Sequence, residues 1–225
     1  MPAAPERVLI DGAAGAIEVA FDWPEGDARG IVFIGHPHPL FGGTLDNKVV
    51  TTVGRTFVGL GWVAARPNFR GVGASAGTHD EGNAETDDFL HVIATAPQLP
   101  IMQAKLPATV PVAVAGFSFG SFVAAKAAAM LAASGRTVQY MILVGAAAKK
   151  WPMPNVPPQT LAIHGELDET IPLADVLEWA GPQELPVVVI PGADHFFHRR
   201  LAVLKRLISA HIRGMPAIDA VAQTG

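Results

Sequence analysis

No cysteine occurs among the 225 residues of the chain. That absence excludes a disulfide-stapled scaffold, a thiolate zinc site and a cysteine nucleophile. Charge is scarce too: Asp, Glu, Lys and Arg together make up 16% of the chain, with a formal net charge of −4. Half of the residues are apolar, so the chain is neither disordered nor a polyelectrolyte. The weakly negative balance argues against a nucleic-acid partner. A basic-then-apolar leader is missing from Met1-Pro-Ala-Ala-Pro-Glu-Arg7, and the expected location is the cytoplasm. Long apolar runs are rare. In residues 110–133 the only charge is Lys126, but Pro111, Gly116 and Gly120 interrupt the stretch. Its first part is β-branched and its second Ala-rich, which reads as a buried strand, a sharp turn and a buried helix, not a membrane span.

What remains is one domain's length of alternating strand and helix signals. Strands are expected at residues 7–10, 17–21, 30–35, 62–67, 112–117, 140–144, 160–164 and 187–191. Helices are expected at 46–60, 84–96, 119–133, 173–179 and 195–212, with a loosely held tail from Gly214. The alternation implies an α/β fold: a single domain, 1–225, with a mostly parallel sheet covered by helices on both faces. Sites in such sheets lie at the carboxyl ends of the strands.

Gly116-Phe-Ser118-Phe-Gly120 matches G-x-S-x-G between a strand and a helix. The pattern presents a hydroxyl on a strained turn, and its small residues let neighbouring backbone pass close by. Gly73-Ala-Ser75-Ala-Gly77 has the same spacing but lies in a polar loop, without the flanking strand and helix. Ser118 is therefore the candidate nucleophile. A serine hydroxyl needs a base and an orienting carboxylate, which follow the nucleophile in the order acid, histidine. His195, after the strand at 187–191, is the candidate base, with His198 second. Asp168, just past the strand at 160–164, is the candidate acid, with Glu166 second; Asp194 is expected to cap the last helix. The Phe119 N–H should offer one oxyanion contact and Leu40 the other, with Phe41 and His38 as alternatives and Pro37 and Pro39 excluded for want of an N–H.

The Ser118 elbow, His164-Gly-Glu-Leu-Asp168 and Gly192-Ala-Asp-His195 make the chain resemble an α/β-hydrolase over nearly its whole length. His36-Pro-His-Pro-Leu-Phe-Gly-Gly-Thr-Leu-Asp-Asn-Lys48 and Asn68-Phe-Arg-Gly-Val-Gly-Ala-Ser-Ala-Gly77 narrow the resemblance. It is to small lid-less bacterial serine hydrolases related to dienelactone hydrolases and esterases. The dienelactone hydrolases proper use cysteine as nucleophile; this chain has only serine to offer.

Two other motifs point to more ordinary roles. His36-x-His38 and His195-Phe-Phe-His198 lack the further ligands of a metal site, so no metal or other cofactor is expected and loop-fixing hydrogen bonds are. Gly71-Val-Gly-Ala-Ser-Ala76 fits a dinucleotide fingerprint, but no helix opens directly after it. Arg70 is expected to pair with Asp87 or Asp88.

Residues 145–159 carry four prolines and are too short for a helical cap, which implies an open site. Phe41, Trp151, Met153 and Phe196 are expected to line it, and Phe117 and Phe197 to pack in the core. The expected activity is hydrolysis of small carboxylic esters with short or medium acyl groups, by a monomer or weak homodimer. Thioester, lactone or other acyl hydrolysis on the same residues, or non-catalytic ligand binding, are the alternatives.

Overall fold

A computed structural model of the protein describes residues 4–107 and 109–215. The core strands are buried throughout and apolar but for Arg66 and His164: every residue of β3 (Ile31–Gly35), β4 (Val63–Pro67), β6 (Tyr140–Val144) and β7 (Leu161–Gly165) is buried. Such runs form because both faces of a parallel sheet are covered. With β1 (Glu6–Gly12), β2 (Gly15–Asp22), β5 (Val112–Phe117) and β8 (Val187–Ile190) they make one sheet in the order β1-β2-β4-β3-β5-β6-β7-β8. The β1–β2 and β2–β4 pairings are antiparallel and all others parallel.

Alternate residues of one strand feed opposite layers. Ile31 and Phe33 belong to the core layer that holds α2 (Asn83–Thr95), α4 (Phe119–Ala133) and α5 (Leu173–Ala180), whereas Val32 and Ile34 belong to that of α1 (Lys48–Val58) and α6 (Leu201–Gly214). The remaining α3 (Pro100–Gln103) is a single turn. Helix α1 starts where Asn47 accepts hydrogen bonds from the Val49 and Val50 N–H groups at 2.9 and 3.4 Å, and it buries Val49, Val50, Val53 and Phe57. Among the described residues no cap domain is inserted, and no helix is long and apolar enough to cross a membrane.

From β3 the chain steps to β4 on one side and then to β5 on the other. The order reverses there, leaving a crevice outside the carboxyl ends of β3 and β5. The His36 loop and Ser118 open into that crevice from the two strand ends.

The closing helix differs from the sequence expectation. It begins at Leu201, not His195, because Phe197 and Arg199 take φ of 54° and 58°, which no right-handed helix accommodates. The Asp194 carboxylate does not cap that helix. It accepts the His198 N–H at 3.0 Å and lies 2.6 Å from His198 Nδ1, closing the turn that carries His195. Of the tail expected to be loosely held, only Gly214 and Met215 fall within the described residues.

Glycine is required where α4 crosses the sheet. A Cβ on Gly120 would sit 2.2 Å from the Gly35 carbonyl oxygen, and one on Gly116 would sit 2.1 Å from the Gly120 oxygen. Both obstacles are backbone and cannot swing aside. We expect Gly120→Ala to lower stability in urea titrations by about 2 kcal/mol or more, at or above the usual cost of overpacking. Gly181→Ala, where a Cβ meets nothing within 4 Å, should stay within about 0.5 kcal/mol of the parent. Equal losses in the two variants would contradict this account of the crossing.

Candidate active site

Ser118 sits between β5 and α4 with φ 55° and ψ −124°, a conformation that costs a non-glycine residue energy. Local bonds hold it there. Ser118 N–H donates to the Val144 carbonyl at 3.0 Å; the Ser121 hydroxyl donates to the Ser118 carbonyl at 2.5 Å and accepts the Ala147 N–H at 3.0 Å. Ser121 thus pins the turn, a role sequence reading missed because its only local signal is a position three residues past the candidate serine.

The turn at 194–200 delivers His195 to Ser118. Its Nε2 lies 3.1 Å from Ser118 Oγ, and its Nδ1 lies 2.7 Å from Asp168 Oδ2. The Phe117 ring packs on the imidazole at 4.9 Å between centroids, and all three residues are largely buried. Asp168 Oδ1 accepts the Thr170 and Ile171 N–H groups at 2.9 and 2.8 Å. Burial pushes the Asp168 carboxyl up, but the bonds from His195 and Ile171 outweigh it and hold the group below the usual carboxylate range. His164, buried on β7, donates from Nε2 to the Ile171 carbonyl at 2.9 Å and stands 3.5 Å from Asp168; desolvation keeps it below the ordinary histidine value. A hydroxyl against an imidazole whose far nitrogen faces a carboxylate can surrender its proton as it attacks a carbonyl carbon.

The structure does not bring the second choices into this chain. Glu166 accepts the Gly192 N–H at 2.8 Å on the surface, and His198 faces Asp194. Ser75, at the other G-x-S-x-G, donates to the Asn68 carbonyl at 2.8 Å and accepts the Glu18 N–H at 2.9 Å. It ties the loop after β4 to β2. Arg70 pairs with Asp88 at 2.9 Å.

Across the crevice, Phe119 N–H belongs to the first turn of α4, where the helix has no carbonyl to receive it. The loop after β3 is tied to itself. Leu40 N–H donates to His38 Nδ1 at 3.2 Å, and Phe41 N–H to the His38 carbonyl at 3.1 Å. An Nδ1 that accepts leaves the His38 proton on Nε2. Burial first, and the neighbouring His79 second, keep His38 below the ordinary value. Rings of Phe41, His79, Phe119 and Trp151 stand at 4.7, 4.7, 5.1 and 5.3 Å from His38. Phe41 is 85% exposed and Leu40 69%; Phe196, half exposed, packs on His195 at 5.1 Å. Met153 instead lies half-buried against the core. Phe117 and Phe197 are fully buried. His79 and the buried Glu85 stand 2.7 Å apart, a pairing that no local sequence signal marks.

His36 shows how the loop after β3 depends on an uncharged ring. Its Nδ1 donates to the Pro37 carbonyl at 2.6 Å and its Nε2 accepts the Phe69 N–H at 2.9 Å, so only the neutral form satisfies both. Burial lowers its pKa from 6.5 to about 4. The unfolded chain therefore takes up this proton below pH 6.5 while the folded one resists until about 4. The stability His36 supplies is complete above that window and lost as pH falls through it, by roughly 3 kcal/mol at ~1.36 kcal/mol per pKa unit. Urea titrations at about pH 7 and about pH 4.5 should show the loss, and His36→Asn should flatten it. An unchanged slope in the variant would contradict the assignment.

A family model described as a thioesterase domain matches residues 72–163. A solved α/β serine hydrolase without lid from Xanthomonas campestris is 32% identical, with TM-score 0.81, 97% of this chain and 99% of that one covered. An α/β serine hydrolase homologue from Coxiella burnetii is 33% identical, with TM-score 0.77 and 94% and 99% covered. An uncharacterised protein of Rickettsia prowazekii is 25% identical over 219 residues, 92% of this chain and 88% of the relative.

Proposed function

The chain belongs to the α/β serine hydrolases, and from that premise we propose that it cleaves carboxylic esters of short or medium acyl groups through an acyl-enzyme on Ser118. One observation carries the reading: the unbroken run from Asp168 Oδ2 through His195 to Ser118 Oγ, at 2.7 and 3.1 Å. Ser118 Oγ attacks the ester carbonyl carbon as His195 Nε2 takes its proton, and Asp168 stabilises the imidazolium. Phe119 N–H meets the developing oxyanion. Leu40 N–H is the second donor, exchanging the long bond to His38 for the stronger one to a charged oxygen; one such contact is typically worth about 2.7–4 kcal/mol in the transition state. His195 returns the proton to the departing alkoxide. Water then attacks the acyl-enzyme with His195 as base, releasing the acid and restoring Ser118. Phe41, Trp151 and Phe196 line an open apolar approach.

Thioester hydrolysis on the same residues is the second reading, favoured by the match to a thioesterase domain. Rates on p-nitrophenyl esters from acetate to decanoate, beside acyl thioesters of equal chain length, decide between the two. A fluorophosphonate should label the protein once, at Ser118. Failure to label, with no turnover of either series, overturns the proposal.

A further inference from the structure

One face of α4 has no part in the catalytic reading. Phe122, Lys126 and Met130 follow one another at four-residue spacing and line a groove of about 520 Å³ opposite Trp151, Pro152 and Pro154. That volume is in the range of small-molecule sites, about 300–1,000 Å³. The walls are apolar: the Trp151 indole stacks on Phe122 at 6.3 Å and 24°, and Met130 is 44% exposed. Gly82 at φ 85° brings its backbone against Phe122, so a Cβ there would lie 2.5 Å from the ring.

A single cation crosses this apolar trough. Lys126 Nζ donates to Asn83 Oδ1 at 2.7 Å and stands 5.8 Å from the Phe122 centroid. Among the described residues no carboxylate comes within 4.0 Å of it, although Glu81 also lines the groove; Glu81 Oε1 is 3.5 Å from His79 Nε2. The ammonium has three donors and spends one on a neutral amide. An apolar body that ends in an anion would fill the trough and take the two ammonium donors that Asn83 leaves free. A neutral apolar ligand leaves those donors to water.

The geometry points to a binding site for an apolar monocarboxylate in this groove, its chain between Trp151 and the α4 face and its carboxylate on Lys126. The site is separate from the reaction. Lys126 lies two helical turns beyond Ser118, about 12 Å along the axis at ~1.5 Å per residue. Ser118, Asp168 and His195 are not in the lining. Trp151 is the shared wall: its ring also meets Phe119 at 5.1 Å and His38 at 5.3 Å.

Decanoate and 1-decanol, below the concentrations at which they aggregate, are the probes for calorimetric titration of the whole protein. Decanoate should bind one per chain. Lys126→Met, which keeps the packing of the stem, should weaken it about tenfold, the scale of one charge-assisted hydrogen bond partly exposed to water, and leave decanol binding unchanged. Ala129→Trp fills the trough from an exposed helix position and should remove both ligands. Ser118→Ala should leave decanoate affinity as it was, whatever becomes of ester hydrolysis, so the site and the catalytic proposal stand or fall separately. Thermal melts establish that each variant is folded. Absence of decanoate binding, equal affinity in Lys126→Met, or binding that survives Ala129→Trp overturns the proposal.

Discussion

Ser118→Ala is expected to lower kcat on p-nitrophenyl butyrate by on the order of 10⁴- to 10⁶-fold, with the fold intact. The range is that of nucleophile removal in serine hydrolases, where oxyanion contacts and binding alone leave a small residual rate. Folding should survive because no local bond depends on the hydroxyl: the turn is held by Ser118 N–H, the Ser118 carbonyl and Ser121 Oγ. Ser75→Ala is the matched control. It strips partners from the Asn68 carbonyl and the Glu18 N–H, both buried bonds, and should cost about 1–3 kcal/mol of stability while kcat stays within a few-fold. Activity that persists in Ser118→Ala and vanishes in a folded Ser75→Ala would transfer the chemistry to the other loop.

For Asp168→Asn the expected loss in kcat is about 10⁴-fold, the size of a carboxylate-to-amide exchange at this position of a serine protease. An amide can still accept the Thr170 and Ile171 N–H groups through its oxygen, so the loop keeps its shape. Its other group is then an NH₂ facing His195 Nδ1. That nitrogen must become the acceptor, and the ring turns its proton toward Ser118 Oγ instead of its lone pair. Because His195 and Ile171 keep the Asp168 carboxyl ionised below the usual range, no acid limb from this group should cross the neutral region of the rate profile. Glu166→Gln, at an exposed carboxylate bonded to Gly192 N–H, should change kcat only a few-fold. A larger loss in Glu166→Gln than in Asp168→Asn would reverse the two assignments.

Both expectations start from features legible in the chain. The strand at 112–117 and helix at 119–133 coincide with β5 and α4, because a β-branched run and an Ala-rich run meet at one residue. The helix expected at 46–60 is present as α1, Lys48–Val58, with its start set by Asn47. The segment after β8 was not legible. Apolar spacing through Phe196, Phe197 and Leu201 looks helical, but the left-handed turns at Phe197 and Arg199 exist to face His195 toward partners 77 and 27 residues away. The donor state of Leu40 was equally hidden, since it depends on which way the His38 ring turns. Lys126 looks in sequence like an isolated charge in an apolar helix; its bond to Asn83 and the groove beneath it depend on where residues 81–83 and 151–154 come to lie.

By itself the sequence determined the fold class, the strand-to-helix turn at Ser118 and the exclusion of a thiol nucleophile, because hydrophobic period, turn chemistry and composition are properties of neighbours along the chain. Only the tertiary structure decided which histidine and which carboxylate meet Ser118, that Ser75 is spent on bracing a loop, and that Lys126 meets Asn83 at the side of an open, largely apolar groove. Those are relations between residues that a common sheet brings together from distant points of the chain, and no spacing within one segment encodes them.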